Sequence, residues 1–207
     1  MYTLYSLGTP NGLKPTILLE ELQAPYKIEI IDIRVGDQFK NDFVKIAPNS
    51  KIPVIFDPEN NFYLFESVAI LQYLAEKHEQ FLPQEIKAKY QVLEWCFFQA
   101  AHIGPMFGQY GHFYRYATTE VPYAKQRYGD EVARLMAVMD KQLNEYSYIS
   151  SHEYSIADIA IWPWVYGFME FYETPISEEK YPHLIRWYET ISKRPAIKAA
   201  LNAYKTD

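Results

Sequence analysis

The stretch from Asn49 to Ser67 holds the densest group of residues with chemistry to offer. Ser67 opens the apolar-periodic run Val68, Ile70, Leu71 and Leu74, where it suits an N-cap. A helix N-terminus with a hydroxyl and unpaired N–H groups is an anion site. Glu66 beside it offers a carboxylate to a cationic group, and Lys51 an ammonium on the approach loop. Ile52 precedes Pro53, so its backbone is held extended and can pair like a strand edge. An anion site, a carboxylate, an ammonium and an open backbone edge suit a small zwitterionic peptide. The same residues would also make a plain hairpin and a capped helix with surface charges.

Short strands and helices position them. Val54 to Asp57 and Phe62 to Phe65 are short strands around the turn Asp57-Pro58-Glu59-Asn60-Asn61, an antiparallel hairpin. Upstream, residues 2 to 7 form a strand, and Gly8-Thr9-Pro10-Asn11-Gly12 is a turn. A helix follows on Leu13, Ile17, Leu18 and Leu22, then a second strand over Tyr26 to Asp32. That order implies a right-handed parallel crossover. Asp42 to Ile46 can add one helical turn.

The fold class expected is therefore α/β, a β-α-β, β-β-α domain over residues 1–78, joined by a linker over 79–87 to an all-α domain over 88–207. In the second domain a helix over Tyr90 to Ala101 is broken or kinked at Gly104-Pro105. Another starts at Pro122 with the stripe Tyr128, Val132, Leu135, Met136, Met139 and Leu143. Ser155-Ile156-Ala157-Asp158 is a capping box with Asp in its last place, and capping accounts for Asp158 fully. Its helix is apolar all round and should bend at Pro163. A closing helix begins at Tyr181-Pro182.

Composition narrows the function. No apolar run among the 207 residues approaches the ~20 of a membrane span. The opening Met-Tyr-Thr-Leu-Tyr-Ser-Leu is strand-like and lacks a basic region and cleavage site, which points to the cytoplasm. The single cysteine, Cys96, excludes an internal disulfide and any Cys-x-x-Cys metal or redox motif, so no metal centre is expected. A net charge of −6 disfavours nucleic acid. Nineteen tyrosines suit a wet cleft or an interface, where ring and hydroxyl are both used.

Ser-Lys-Ile-Pro and Phe-Glu-Ser in a β-α-β, β-β-α domain, followed by helices with Ser-Ile-Ala-Asp, resemble a cytosolic glutathione transferase over the whole chain. Thr9-Pro10-Asn11-Gly12, Gln38-Phe39, Ile103-Gly104-Pro105-Met106-Phe107-Gly108-Gln109 and Ile161-Trp162-Pro163-Trp164 are similar to the bacterial nu class. Those enzymes are homodimeric glutathione-dependent disulfide-bond reductases and weak peroxidases.

The resemblance implies a thioredoxin-like fold for the first domain, glutathione as co-substrate, and small disulfides or hydroperoxides as its partners. Ile52 would pair its backbone with the cysteinyl unit, with Pro53 cis. Glu66 and Ser67 would hold the γ-glutamyl ammonium and carboxylate. Lys51 and Gln38 would lie along the peptide, Lys51 towards the glycyl carboxylate. Thr9 and Asn11 would be the thiolate partners, at a helix start that favours a thiolate over a thiol. Both residue types equally suit caps and turns. Tyr5 competes for the role, since other classes use a tyrosine on this strand. Arg127 would reach the site of the partner subunit, although by its own sequence it is an ordinary helix-surface charge. His102 and His112 are expected in a cleft or the core. Cys96, beside Trp95, Phe97 and Phe98, reads as an inert core thiol. Two other readings stay open: a transferase conjugating glutathione to electrophiles, and a non-catalytic regulator such as the fungal nitrogen regulator. The latter carries a long Asn-rich leader, and a start directly on the first strand favours an enzyme.

Overall fold

Successive side chains of β1 (Tyr2–Ser6) point to opposite faces of a sheet, and what each face touches orders the first unit. The structure, a computed structural model, describes residues 1–171 and 176–205. After β1 come α1 (Pro10–Glu21), β2 (Tyr26–Ile30), α2 (Asn41–Ile46), β3 (Val54–Asp57), β4 (Phe62–Phe65) and α3 (Ser67–His78). The strands lie in the order β2-β1-β3-β4. β1 and β2 are parallel and the other two pairings antiparallel. The crossover and the hairpin are those expected from the sequence. β2 ends two residues early because Asp32 turns the chain, its Oδ1 accepting from the Arg34 N–H and Nε–H.

Ser6 is fully buried on one face, beside Thr16 of α1 and the C-terminal Tyr204. Tyr5 and its cross-strand partner Val54 lie on the other, packed with Phe43 and Ala47. α1 and α2 therefore cover opposite faces, and α3 packs beside α1. Asp57 ties the hairpin turn to α3. Its carboxylate accepts from the Glu59 N–H, Asn60 Nδ2, Tyr73 Oη and Lys77 Nζ. Burial alone would raise this carboxyl, but those bonds hold it well below the usual carboxylate range.

The second unit is helical: α4 (Ile86–Phe98), α5 (Gly104–Gly111), α6 (Pro122–Glu145), α7 (Ile156–Phe171) and α8 (Pro182–Ser192). Wide π turns over Gln99–Ile103 and His112–Tyr116 flank α5. The expected break thus falls ahead of Gly104-Pro105, where the looser turn admits a residue without an N–H. The α6 stripe is buried from Val132 to Leu143, while Tyr128 stacks on Phe113.

Two expected boundaries move. The linker does not reach 87, because Glu85 caps α4, accepting from the Lys87 and Ala88 N–H groups at 2.9 and 2.8 Å. The second compact unit is Gln84–Ile191, and the chain from Ser192 onward belongs with Met1–Pro83 instead. α9 (Pro195–Asn202) packs on α1, and Arg194 forms a two-pronged ion pair with Glu21 at 2.6 and 2.9 Å.

Candidate functional site

Strand register brings three separated segments to one end of the sheet. Val54 faces Phe65 on one side and Tyr5 on the other. One step further along both ladders, Pro53 comes beside Glu66 and beside Ser6 at the start of the loop into α1. Ile52-Pro53, Glu66-Ser67 and Thr9–Asn11 thus converge because β1 and β4 end where β3 begins. The Ile52–Pro53 peptide is cis. The β3 ladder begins at Val54, so the backbone of Ile52 lies outside it.

Thr9 is the N-cap of α1, its Oγ1 accepting from the Gly12 N–H at 3.2 Å. That bond uses the hydroxyl as acceptor and leaves its proton to donate elsewhere. Cap and ligand donor are compatible roles. The loop is drawn tight against the helix start. A Cβ on Gly12 would fall 2.0 Å from the Leu7 carbonyl oxygen, so only glycine fits there.

Ser67 differs from the expectation. Glu66 occupies the cap position of α3, with φ 71° and no side-chain cap bond, and Ser67 is the first helical residue. Its hydroxyl, freed from capping, accepts from Lys14 Nζ at 3.1 Å. Glu66 is exposed, and a non-glycine residue held at such a φ costs on the order of 1–3 kcal/mol, strain that clusters at functional sites.

Lys14 escaped the sequence reading. It is 1% exposed, and besides Ser67 it donates to Asn11 Oδ1 at 2.9 Å. The available signal was its place on α1: Lys14 shares one helix face with the buried Ile17 and Leu18, so a lysine stands on an apolar stripe. Tyr204 was also missed. Its hydroxyl donates to Ser6 Oγ at 3.0 Å and lies 2.8 Å from Thr16 Oγ1, bracing the base of the loop from the far end of the chain. Burial raises its pKa.

Tyr5 lies on the α2 face, opposite α1, with its ring 6.3 Å from that of Tyr63. Burial and Tyr63 raise its pKa. Gln38 sits in a short turn, where Nε2 donates to the Ile33 carbonyl at 3.4 Å. Its Oε1 is buried and meets no hydrogen-bond partner among the described residues. Lys51 is exposed. Arg127 belongs to the helical unit, where it lines a cleft of about 800 Å³ with His102, Met106, Tyr123 and Glu131. Arg134 bonds Glu131 and, with His102 and Arg127 nearby, lowers its pKa. His102 is a cleft residue as expected. His112 is not: it is exposed, edge-on to Phe113. Cys96 is buried at 1% exposure.

A helix start, a neighbouring carboxylate and a stretch of backbone outside the ladder thus meet at one end of the sheet in the first unit. Residues 9–77 match the glutathione S-transferase N-terminal domain and residues 105–195 the C-terminal domain. The chain belongs to the glutathione S-transferase family. It is 42% identical to the disulfide-bond oxidoreductase YfcG of Escherichia coli, over 97% of this chain and 94% of that one. Identity to the E. coli disulfide-bond oxidoreductase YghU is 43%, over 94% and 72%. A glutathione transferase family member from Pseudomonas fluorescens, crystallised with two glutathione molecules bound, superposes with TM-score 0.91 at 40% identity, over 97% and 92%.

Proposed function

We propose that the protein is a glutathione-dependent disulfide-bond reductase in which glutathione supplies both thiols. The observation that carries this reading is the turn at the start of α1. Thioredoxin-like exchange uses a sulfur there, and this chain has Thr9-Pro10-Asn11. Its one thiol, Cys96, is buried on α4 in the other unit.

A first glutathione thiolate attacks one sulfur of the substrate disulfide, forming a mixed disulfide and releasing a substrate thiolate. A second thiolate attacks the glutathione sulfur of that species, giving oxidised glutathione and the other substrate thiolate. Two electrons pass from two glutathiones to one disulfide, and no protein sulfur changes state. Thr9 Oγ–H, Asn11 Nδ2 and the α1 N-terminus stabilise the first thiolate. Ile52 pairs its backbone with the cysteinyl unit, next to the cis Pro53. Glu66 takes the γ-glutamyl ammonium, Ser67 its carboxylate, and Gln38 and Lys51 the rest of the peptide. The relatives named for disulfide oxidoreduction and the two glutathiones in the Pseudomonas structure support this scheme. The active form is a homodimer in which Arg127 of a second copy completes the site. A reaction consuming reduced glutathione belongs in a reducing compartment, and we place the protein in the cytoplasm.

The test is a disulfide-reduction assay on two variants. Cys96→Ser should keep most of the activity and Asn11→Ala should lose most of it. A Cys96→Ser protein that is folded, binds glutathione and is inactive would overturn the scheme. So would turnover of aryl halides much faster than of any disulfide.

A further inference from the structure

A buried lysine is costly unless its ammonium is well bonded, and α1 places one between two residues of the glutathione site. We propose that Lys14 is the positioning residue of that site, setting the donor groups of Asn11 and Ser67 that face the bound peptide. The inference rests on the glutathione reading above.

Hydrogen-bond capacity fixes both orientations. Asn11 has one carbonyl oxygen and one NH2 group on its side chain. The ammonium takes the oxygen at 2.9 Å. Turning the amide over would set NH2 against NH3⁺ in a buried place, donor against donor. The two Nδ2 protons are therefore directed away from Lys14, as donors for a thiolate. Ser67 has one proton to give, and Lys14 occupies a lone pair of its oxygen at 3.1 Å. Its O–H is thereby left to donate, which suits a carboxylate and not an ammonium. One cation thus presents donors at both positions, and its charge favours an anion at each. The chain pays for this through burial of Lys14, which no packing argument for α1 requires. A leucine or methionine would fill the same stripe.

The decisive measurement is the thiol pKa of bound glutathione, followed by ultraviolet thiolate absorbance against pH. It is made with the full-length wild-type protein, Lys14→Met and Lys14→Gln. Lys14→Met should raise the bound thiol pKa by about one unit or more and weaken glutathione roughly tenfold. Lys14→Gln keeps a neutral donor, so affinity should partly return while the thiol pKa stays raised. The kcat/KM profile for disulfide reduction should move to higher pH with it. A merely structural lysine would lower the melting temperature and leave the thiol pKa of the folded fraction unchanged, and that result overturns the proposal. Where the methionine variant does not fold, the glutamine variant decides by the same criterion. Independently of any substitution, the Asn11 side-chain amide protons of the wild-type protein should shift in NMR spectra when glutathione is added. Bound glutathione that leaves them unmoved counts against Lys14. Absence of glutathione binding to the wild-type protein instead rejects the reading of the site itself.

Discussion

At the scale of single residues, the candidate site is built from side chains that each do a structural task with one atom and leave another atom able to donate. Thr9 accepts the Gly12 N–H and retains its proton. Asn11 gives its oxygen to Lys14 and retains its NH2. Ser67 accepts from the same ammonium and retains its O–H. Ser67→Ala tests this division. Because Ser67 is not the cap of α3, its loss removes no capping bond, and the protein should stay folded. The missing contact to a charged group is worth about 1.5–3 kcal/mol, so glutathione affinity should fall roughly tenfold or more. Calorimetry that finds unchanged affinity would reject this placement of the carboxylate.

At the scale of elements, Asp158 shows how one carboxylate organises a helical unit. Oδ1 accepts from the Ile149 N–H and Trp187 Nε1, both at 2.8 Å, and Oδ2 from the Ser155 N–H and hydroxyl at 3.0 and 3.2 Å. The capping box is thus real, and it also joins the loop before α7 to α8. Removing the carboxylate strands four donors, so Asp158→Ala should destabilise the protein by about 3 kcal/mol or more in urea unfolding. Burial pushes this carboxyl up to about 6, from an ordinary value of 3.8, against the opposing pull of those bonds. Between the two values the folded state holds more protons than the unfolded one, so this group's contribution to stability falls as pH rises. Above about 6 the contribution is flat. Asp158→Asn should remove that slope, which unfolding midpoints at a series of pH values would show.

At the scale of the whole molecule, the first unit holds every candidate contact except Arg127. Arg127 is exposed on α6 and lines a cleft formed by its own unit. A cross-subunit role makes Arg127→Ala weaken the binding of oxidised glutathione while the dimer persists. A wild-type protein that sediments as a monomer at micromolar concentration would end that role. No helix of the described residues is long and apolar enough to cross a membrane.

The sequence by itself determined the hairpin, the crossover, the α6 stripe and the capping box, because each is local: periodicity, turn chemistry and capping act within a few residues. It also placed Ile52, Pro53, Glu66 and Ser67 in one neighbourhood, since a short hairpin must return its ends together. Tertiary structure decided what depends on partners far along the chain. Lys14 and Ser67 stand 53 residues apart and Ser6 and Tyr204 stand 198 apart, so no local pattern announces either bond. The face taken by Tyr5 was undecided along a five-residue strand, because alternation defines two faces without naming which helix covers each. The same reason moved the C-terminal segment to the first unit: α9 is amphipathic by sequence, and only the assembled sheet and α1 offer the surface it buries against.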